Sequence, residues 1–184
     1  MRTDIAWTAL PWSSVEHVII DDDDGWTADG SMVAVFDRRA VRLSYRLQVD
    51  AAGATRALDL SEAVGCAARA LQSDGHGRWW DADGAPVPDL DDCIDVDIST
   101  TPLTNTLPVR RLRLAPGESA EIQVGYVDVP ALTVSAVSQR YTRIDGRTYR
   151  YASGSFAADV VFDEHDLVTD YQGLWRRVPI DARA

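Results

Sequence analysis

The chain has 184 residues, 18 basic and 29 acidic, for a net charge of −11 and a pI near 4.5. Such a surface repels phosphate backbones, which argues against sequence-independent nucleic-acid binding. The length suits one domain with a substantial core, expected to span 1–184, rather than two. All the basic residues are arginine, a bias that a GC-rich genome accounts for without selection for arginine's planar fork.

The opening MRTDIAWTALPW carries an acid at Asp4 and no long apolar stretch, so it does not read as a secretory signal. The longest clean apolar run, MVAVF at 32–36, is far too short to span a bilayer. The expectation is a cytoplasmic protein without a transmembrane segment. Within DDDDG, Asp22, Asp24 and Gly25 match part of a calcium loop, but Ile20 and Ser31 fall at its two ends, where ligands are required. A solvated acidic turn is the better account.

Turn signals then recur, ending at Gly25, Gly30, Gly53, Gly77, Gly84, Gly117 and Gly146. Between them the apolar residues alternate. Leu43, Tyr45 and Leu47 share one face against Arg42, Ser44 and Arg46, and Ile122, Val124 and Tyr126 align. This period of two predicts a mostly-β chain built from hairpins. WTADG (26–30) and WDADG (80–84) predict two hairpins with the same turn chemistry. Residues 61–72 have helix-forming composition, but Gly65 interrupts them and their flanks look like strands.

Cys66 and Cys93 read as buried small hydrophobes rather than a disulfide framework. His17, His76 and His165 lie at no metal-ligand spacing, and no nucleotide or nucleophile motif is complete, so no metal or cofactor is expected.

The stretch CIDVDISTTPLTNTLPVRRL (93–112) concentrates the chemistry. Asp95 and Asp97 fall on one face of a strand, roughly 6.5–7 Å apart at Cα. That spacing permits acid/base work across a sugar bond, though alternating aspartates more commonly mark a wet strand face. A short helix is predicted over roughly 106 to 114, with Asn105 as N-cap, Pro108 in the first turn and Pro116-Gly117 as the stop. Arg110 and Arg111 then diverge by about 100°. One is expected to pair with Asp95 or Asp97, and the other to reach a cleft or a dimer surface. Further on, the strand-like 148–162 puts Phe156, Ala158, Val160 and Phe162 toward the core, with Asp159 and Asp163 toward water. DEHD (163–166) turns the chain and LVTDY returns it.

Three segments together, LDDCIDVDISTTPLTNTLPVRRL (90–112), VDVPALTVSAVSQRYTRI (127–144) and YRYASGSFAADVVFDEHDLVTDYQGLWRR (149–177), resemble the putative glycolipid-binding family of bacteria. The third has His165-Asp166 where the family's Asp-Gly turn would stand. The resemblance implies a spiral β-roll, one long curved antiparallel sheet wrapped around a single principal helix, as a homodimer. Its shape is similar to bacterial carriers that shuttle lipoproteins across the periplasm. The implied role is non-enzymatic binding of a glycolipid or similar amphiphile in an apolar cleft between sheet and helix. Candidate ligand-binding residues are Asp95, Asp97, Arg110, Arg111, Tyr141, Tyr151 and Trp175, with Tyr171 beside them; rings at such positions are more often ordinary core. Two alternatives remain open: a homodimeric interaction module joined along a sheet edge without a small ligand, and a hydrolase of a glycolipid-like substrate using Asp95 and Asp97.

Overall fold

The computed structural model describes residues 2–36 and 38–180. Alternating apolar and polar side chains set the first half. Strands β1 (Arg2–Ala9), β2 (Ser13–Asp23), β3 (Gly25–Phe36), β4 (Arg39–Val49), β5 (Thr55–Glu62), β6 (Ala67–Ser73) and β7 (Trp79–Asp81) follow one another as a meander. The second half contains β8 (Asp95–Ile98), helix α1 (Thr106–Leu112), β9 (Ser119–Asp128), β10 (Thr133–Arg143), β11 (Thr148–Ser153), β12 (Phe156–Phe162), β13 (Val168–Tyr171) and β14 (Trp175–Val178).

Among the described residues, all fourteen strands join in one sheet, ordered β7-β6-β5-β4-β3-β2-β1-β14-β13-β12-β11-β10-β9-β8. The predicted spiral β-roll is therefore correct in outline: one curved, unclosed sheet with a single α-helix. The first and last strands meet in its middle, where Ala9 lies opposite Trp175. One detail departs from the antiparallel expectation. β8 pairs with β9 in parallel, because α1 carries the chain from the end of one strand back to the start of the next. The two edge strands are short, three and four residues. Loops bridge the region between them. The Trp79 indole donates to the Cys93 carbonyl at 2.7 Å, and the Asp92 and Thr55 amides donate to the Gly77 and Ile94 carbonyls.

The inner face is a continuous apolar core. Val18, Ile20, Met32, Leu43, Leu47, Leu58, Leu71, Val160 and Phe162 all pack into it. Leu43, Tyr45 and Leu47 point inward together, as the alternation requires. WTADG at 26–30 is not a turn; it lies inside β3, with Gly30 opposite Tyr45 of β4. The glycine is needed because a Cβ there would fall 2.0 Å from Cζ of the Tyr45 ring. The ring lies across this bare backbone, and its hydroxyl donates to Glu16 at 2.7 Å. The second copy, WDADG, does make the expected hairpin-type turn after β7. Residues 61–72 form the end of β5, a turn and β6, not a helix.

The stretch 148–162 is two strands folded on each other at Gly154-Ser155. Ala158, Val160 and Phe162 are buried as predicted, whereas Phe156 is 42% exposed. It starts β12 beside the turn, where little lies over the sheet. Asp159 faces outward and pairs with Arg150 across the hairpin. Asp163 instead turns under Arg177, 2.6 Å away, and is only 14% exposed. Cys93 is buried as expected, and burial pushes its thiol up to about 11. Cys66 sits exposed in the turn before β6, at φ 55.

The helix forms where the punctuation places it and ends two residues early. A 3-10 turn, Leu103–Asn105, leads into it, and Asn105 already has helical backbone angles and makes no side-chain cap bond. Its side-chain amide instead donates to the Pro102 carbonyl three residues back at 3.3 Å and accepts from the distant Tyr141 hydroxyl at 3.0 Å. Arg113 stops the helix by adopting φ 48, with its N–H on the Val109 carbonyl. The Pro116-Gly117 pair lies beyond that stop.

Candidate functional site

The successive arginines at the end of α1 part company, as a 100° step per residue demands. Arg111 turns inward and forks onto Asp95, with Nε 3.1 and 3.2 Å from the two carboxylate oxygens and Nη2 2.6 Å from Oδ2. Asp95 is wholly buried, while the Arg111 side chain keeps 21% exposure. Burial pushes Asp95 above the usual carboxylate range, and the Arg111 fork only partly pulls it back. Arg110 turns the other way. Its guanidinium lies 5.2 Å over the Trp26 ring, donates to the His165 carbonyl at 2.8 and 3.2 Å, and stands 3.6 Å from Asp22.

Arg110 and Arg111 both line a cleft of about 790 Å³ between the C-terminal end of α1 and the turns of the sheet. The opposing walls are the β2–β3 turn with Asp22, Asp23 and Asp24, the β4–β5 turn with Asp50, and the β12–β13 turn with His165. Arg143 is placed like Arg110. It lies 5.6 Å over the Tyr149 ring and donates to the carbonyls of Leu114, Asp145 and Gly146. The cleft between sheet and helix thus exists where it was expected, but its lining is mostly ionic. It is not the apolar channel for an acyl chain that the resemblance implied.

Asp97, Tyr151, Tyr171 and Trp175 gather at the opposite end of β12, in a second cavity of about 210 Å³ that shares no lining residue with the first. Asp97 forms part of its wall. Its Oδ1 accepts from the Thr104 hydroxyl at 2.8 Å and its Oδ2 from the Gln139 amide at 2.6 Å. Burial raises the Asp97 pKa, and these two neutral donors oppose the shift. Tyr151, Tyr171, Phe156, Tyr126 and Trp175 supply rings around it. Three of the rings touch pairwise: Tyr151–Phe156 at 6.0 Å, Tyr151–Tyr171 at 6.1 Å and Phe156–Tyr171 at 6.5 Å between centroids. Burial foremost, and then the nearby Asp97 carboxylate, pushes the Tyr151 phenol far up.

Of the seven candidates, Arg110 and Arg111 line the cleft and Asp97, Tyr151 and Trp175 the cavity. Asp95 and Tyr141 line neither: one lies under Arg111 and the other packs edge-on behind Tyr151, 2% exposed. Asp95 is closed from solvent and held by its arginine, so the two aspartates do not form a pair of carboxylates flanking a substrate. Sequence reasoning missed Trp26, Tyr149 and Arg143, which only the return of distant turns to α1 brings together. It also passed over Glu16, whose place was legible: it alternates with Val18 and Ile20 on the inward face of β2. Glu16 is fully buried with no cation beside it among the described residues, and burial raises its pKa to about 7.

A curled sheet around one short helix, with recesses at both ends of β12, defines a β-roll with the form of a binding scaffold. The chain belongs to the family described as Putative glycolipid-binding, which matches residues 4–177. The crystal structure of a DUF1089 family protein from Pseudomonas aeruginosa is similar to it, with 39% sequence identity, a TM-score of 0.81, and 90% of this chain and 92% of that chain covered. No curated protein matches the sequence. Among the described residues no helix is long and apolar enough to cross a membrane.

Proposed function

We propose that the chain is a non-enzymatic binding protein for a sugar-bearing amphiphile, whose head group enters the cleft at the C-terminal end of α1. The observation that carries this reading is the pairing of Arg110 with Trp26 at that cleft. Guanidinium donors, aspartate acceptors and aromatic rings side by side suit a polyhydroxylated head, because hydroxyls both donate and accept. At about 790 Å³ the cleft falls within the usual range for small-molecule sites, roughly 300–1,000 Å³. Its ionic lining favours the head over the acyl chain. Family membership supports a binding role.

Titration calorimetry with submicellar dodecyl maltoside tests the reading. Wild type should bind saturably, and Arg110→Ala should weaken binding about tenfold, equivalent to ~1.4 kcal/mol. Absence of saturable binding, or equal affinity in Arg110→Ala, would refute it.

One observation favours a homodimer as a second feature. Val15 and Val33, paired across β2 and β3 on the outer face, are each 60% exposed, with Leu10 and Val35 nearby at 46%. That apolar face supports self-association better than the short edge strands do. Sedimentation of Val15→Glu with Val33→Glu should give monomer where wild type gives dimer. Equal mass for both proteins would remove the idea.

A further inference from the structure

The cavity at the Phe156 end of β12 has a different chemistry from the polar cleft. Its one carboxylate, Asp97, is met by the Thr104 hydroxyl and the Gln139 amide, both uncharged. The chain places an arginine on other shielded aspartates, Arg111 on Asp95 and Arg177 on Asp163. Asp97 has none. A shielded carboxylate without a cation is costly unless something compensates it. Apart from the hydroxyls of Tyr126, Tyr151 and Tyr171, the other polar side chains of the wall already hold protein partners. Asn105 holds Tyr141 and Pro102, Ser99 accepts from the Val129 amide, and Thr101 accepts from the Leu103 amide.

What remains facing the space is aromatic. Tyr151, Tyr171 and Phe156 form a contiguous wall, and Phe156 stands at its rim with 42% of its surface in water. Tyr126 and Trp175 contribute further lining. Aromatic faces attract cations, and rings grouped around a carboxylate suit a cation that needs no hydrogen bonds. A sugar or a primary ammonium would need several donors and acceptors, and beside the Asp97 carboxylate this wall offers chiefly three tyrosine hydroxyls. At about 210 Å³, the space holds about seven water-sized atoms, enough for a trimethylammonium group on a short stem. The net charge of −11 draws cations toward the surface as a whole.

We infer that this cavity is a binding site for a quaternary ammonium head group, held by the Asp97 carboxylate and the rings of Tyr151, Phe156 and Tyr171. The site is independent of the sugar reading, because it lies at the other end of β12 and recognises charge rather than hydroxyls. Choline, free or as a lipid head group, is the simplest chemistry it would take.

Calorimetric titration of the whole chain with choline chloride and tetramethylammonium chloride, against matched sodium chloride, tests this. Both organic cations should bind saturably at millimolar concentration or below. Asp97→Asn, which keeps the shape and the Gln139 and Thr104 neighbours, should weaken them at least tenfold. Phe156→Ala, at an exposed rim position, should weaken them several-fold without unfolding the chain. Neither change should alter dodecyl maltoside binding. Co-sedimentation with phosphatidylcholine vesicles but not with phosphatidylglycerol vesicles would place the head group on a lipid; binding of free choline alone would place it on a small molecule. Either result supports the site. Heats equal to sodium chloride, equal affinity in Asp97→Asn, or maltose displacing choline would overturn it.

Discussion

Replacing Arg111 with alanine removes a forked, three-contact partner from a carboxylate that has no exposure of its own. The loss is that of an uncompensated buried charge, about 3–5 kcal/mol for a dry pair. Arg111 is 21% exposed, so water can reach its vacated position and the lower end, about 3 kcal/mol, is the better figure. With a urea slope of about 2–3 kcal/mol per molar, the unfolding midpoint should fall by about 1–1.5 M while the slope stays constant. The pH dependence carries a sign. Asp95 already has a folded-state pKa above its unfolded value, owing first to burial, and losing Arg111 raises it further. Between the unfolded and folded pKa values the native state holds the extra proton, so stability falls as pH rises through that window. The deficit of Arg111→Ala should therefore shrink in acid. Replacing both partners by apolar residues, Asp95→Leu with Arg111→Met, should recover most of the loss. An unchanged midpoint in Arg111→Ala, or a deficit of the same size at acid and neutral pH, would refute the argument.

Glu16, raised by burial to about 7 from 4.5, makes wild-type stability decline as pH rises between those values. Glu16→Gln keeps an acceptor for Tyr45 and should be up to ~3 kcal/mol more stable above pH 7, the gap closing by about pH 4.5, as read from urea midpoints across that range. Gly30→Ala should cost about 1–3 kcal/mol or more, since its Cβ would overlap the Tyr45 ring, and a smaller residue at 45 should make that substitution less costly in thermal melts. Phe162→Ala should cost about 3–5 kcal/mol, whereas the exposed Phe156→Ala should cost under about 1 kcal/mol in the same melts.

The parts of the fold legible from sequence were those set by neighbours in the chain. Leu43, Tyr45 and Leu47 share a face because a strand alternates, and Pro108 falls in a first helical turn because its missing N–H is not needed there, although Asn105 does not cap that turn. The helix end was less legible, since Arg113 takes a left-handed conformation that its identity does not advertise. WTADG was misread because its residues carry the same local turn preference in or out of a strand; what decides Gly30 is a tyrosine ring arriving from β4. Arg110 and Arg111 could be divided between two partners from helix geometry alone, and Asp95 was a nearby acid. Trp26 and His165 could not be foreseen as Arg110's contacts, because three separated turns converge there only after the sheet has curled.

The junction of β1 with β14 also bears on how the chain reaches its native state. Every other pairing among the described strands joins neighbours in sequence, so hairpins can form early and extend into two separate halves. The junction cannot: Trp7 donates its indole proton to Val168, 161 residues away. Until β14 arrives, β1 offers an unpaired edge bearing Ile5, Ala6 and Trp7, residues that end up buried. Synthesis runs from β1 toward β14, so that edge waits until the residues up to Val178 are made. A chain cut before Trp175 should therefore aggregate through β1 although both sets of hairpins can form. The wait for β14 is thus an interval of exposure built into the order in which the strands are made.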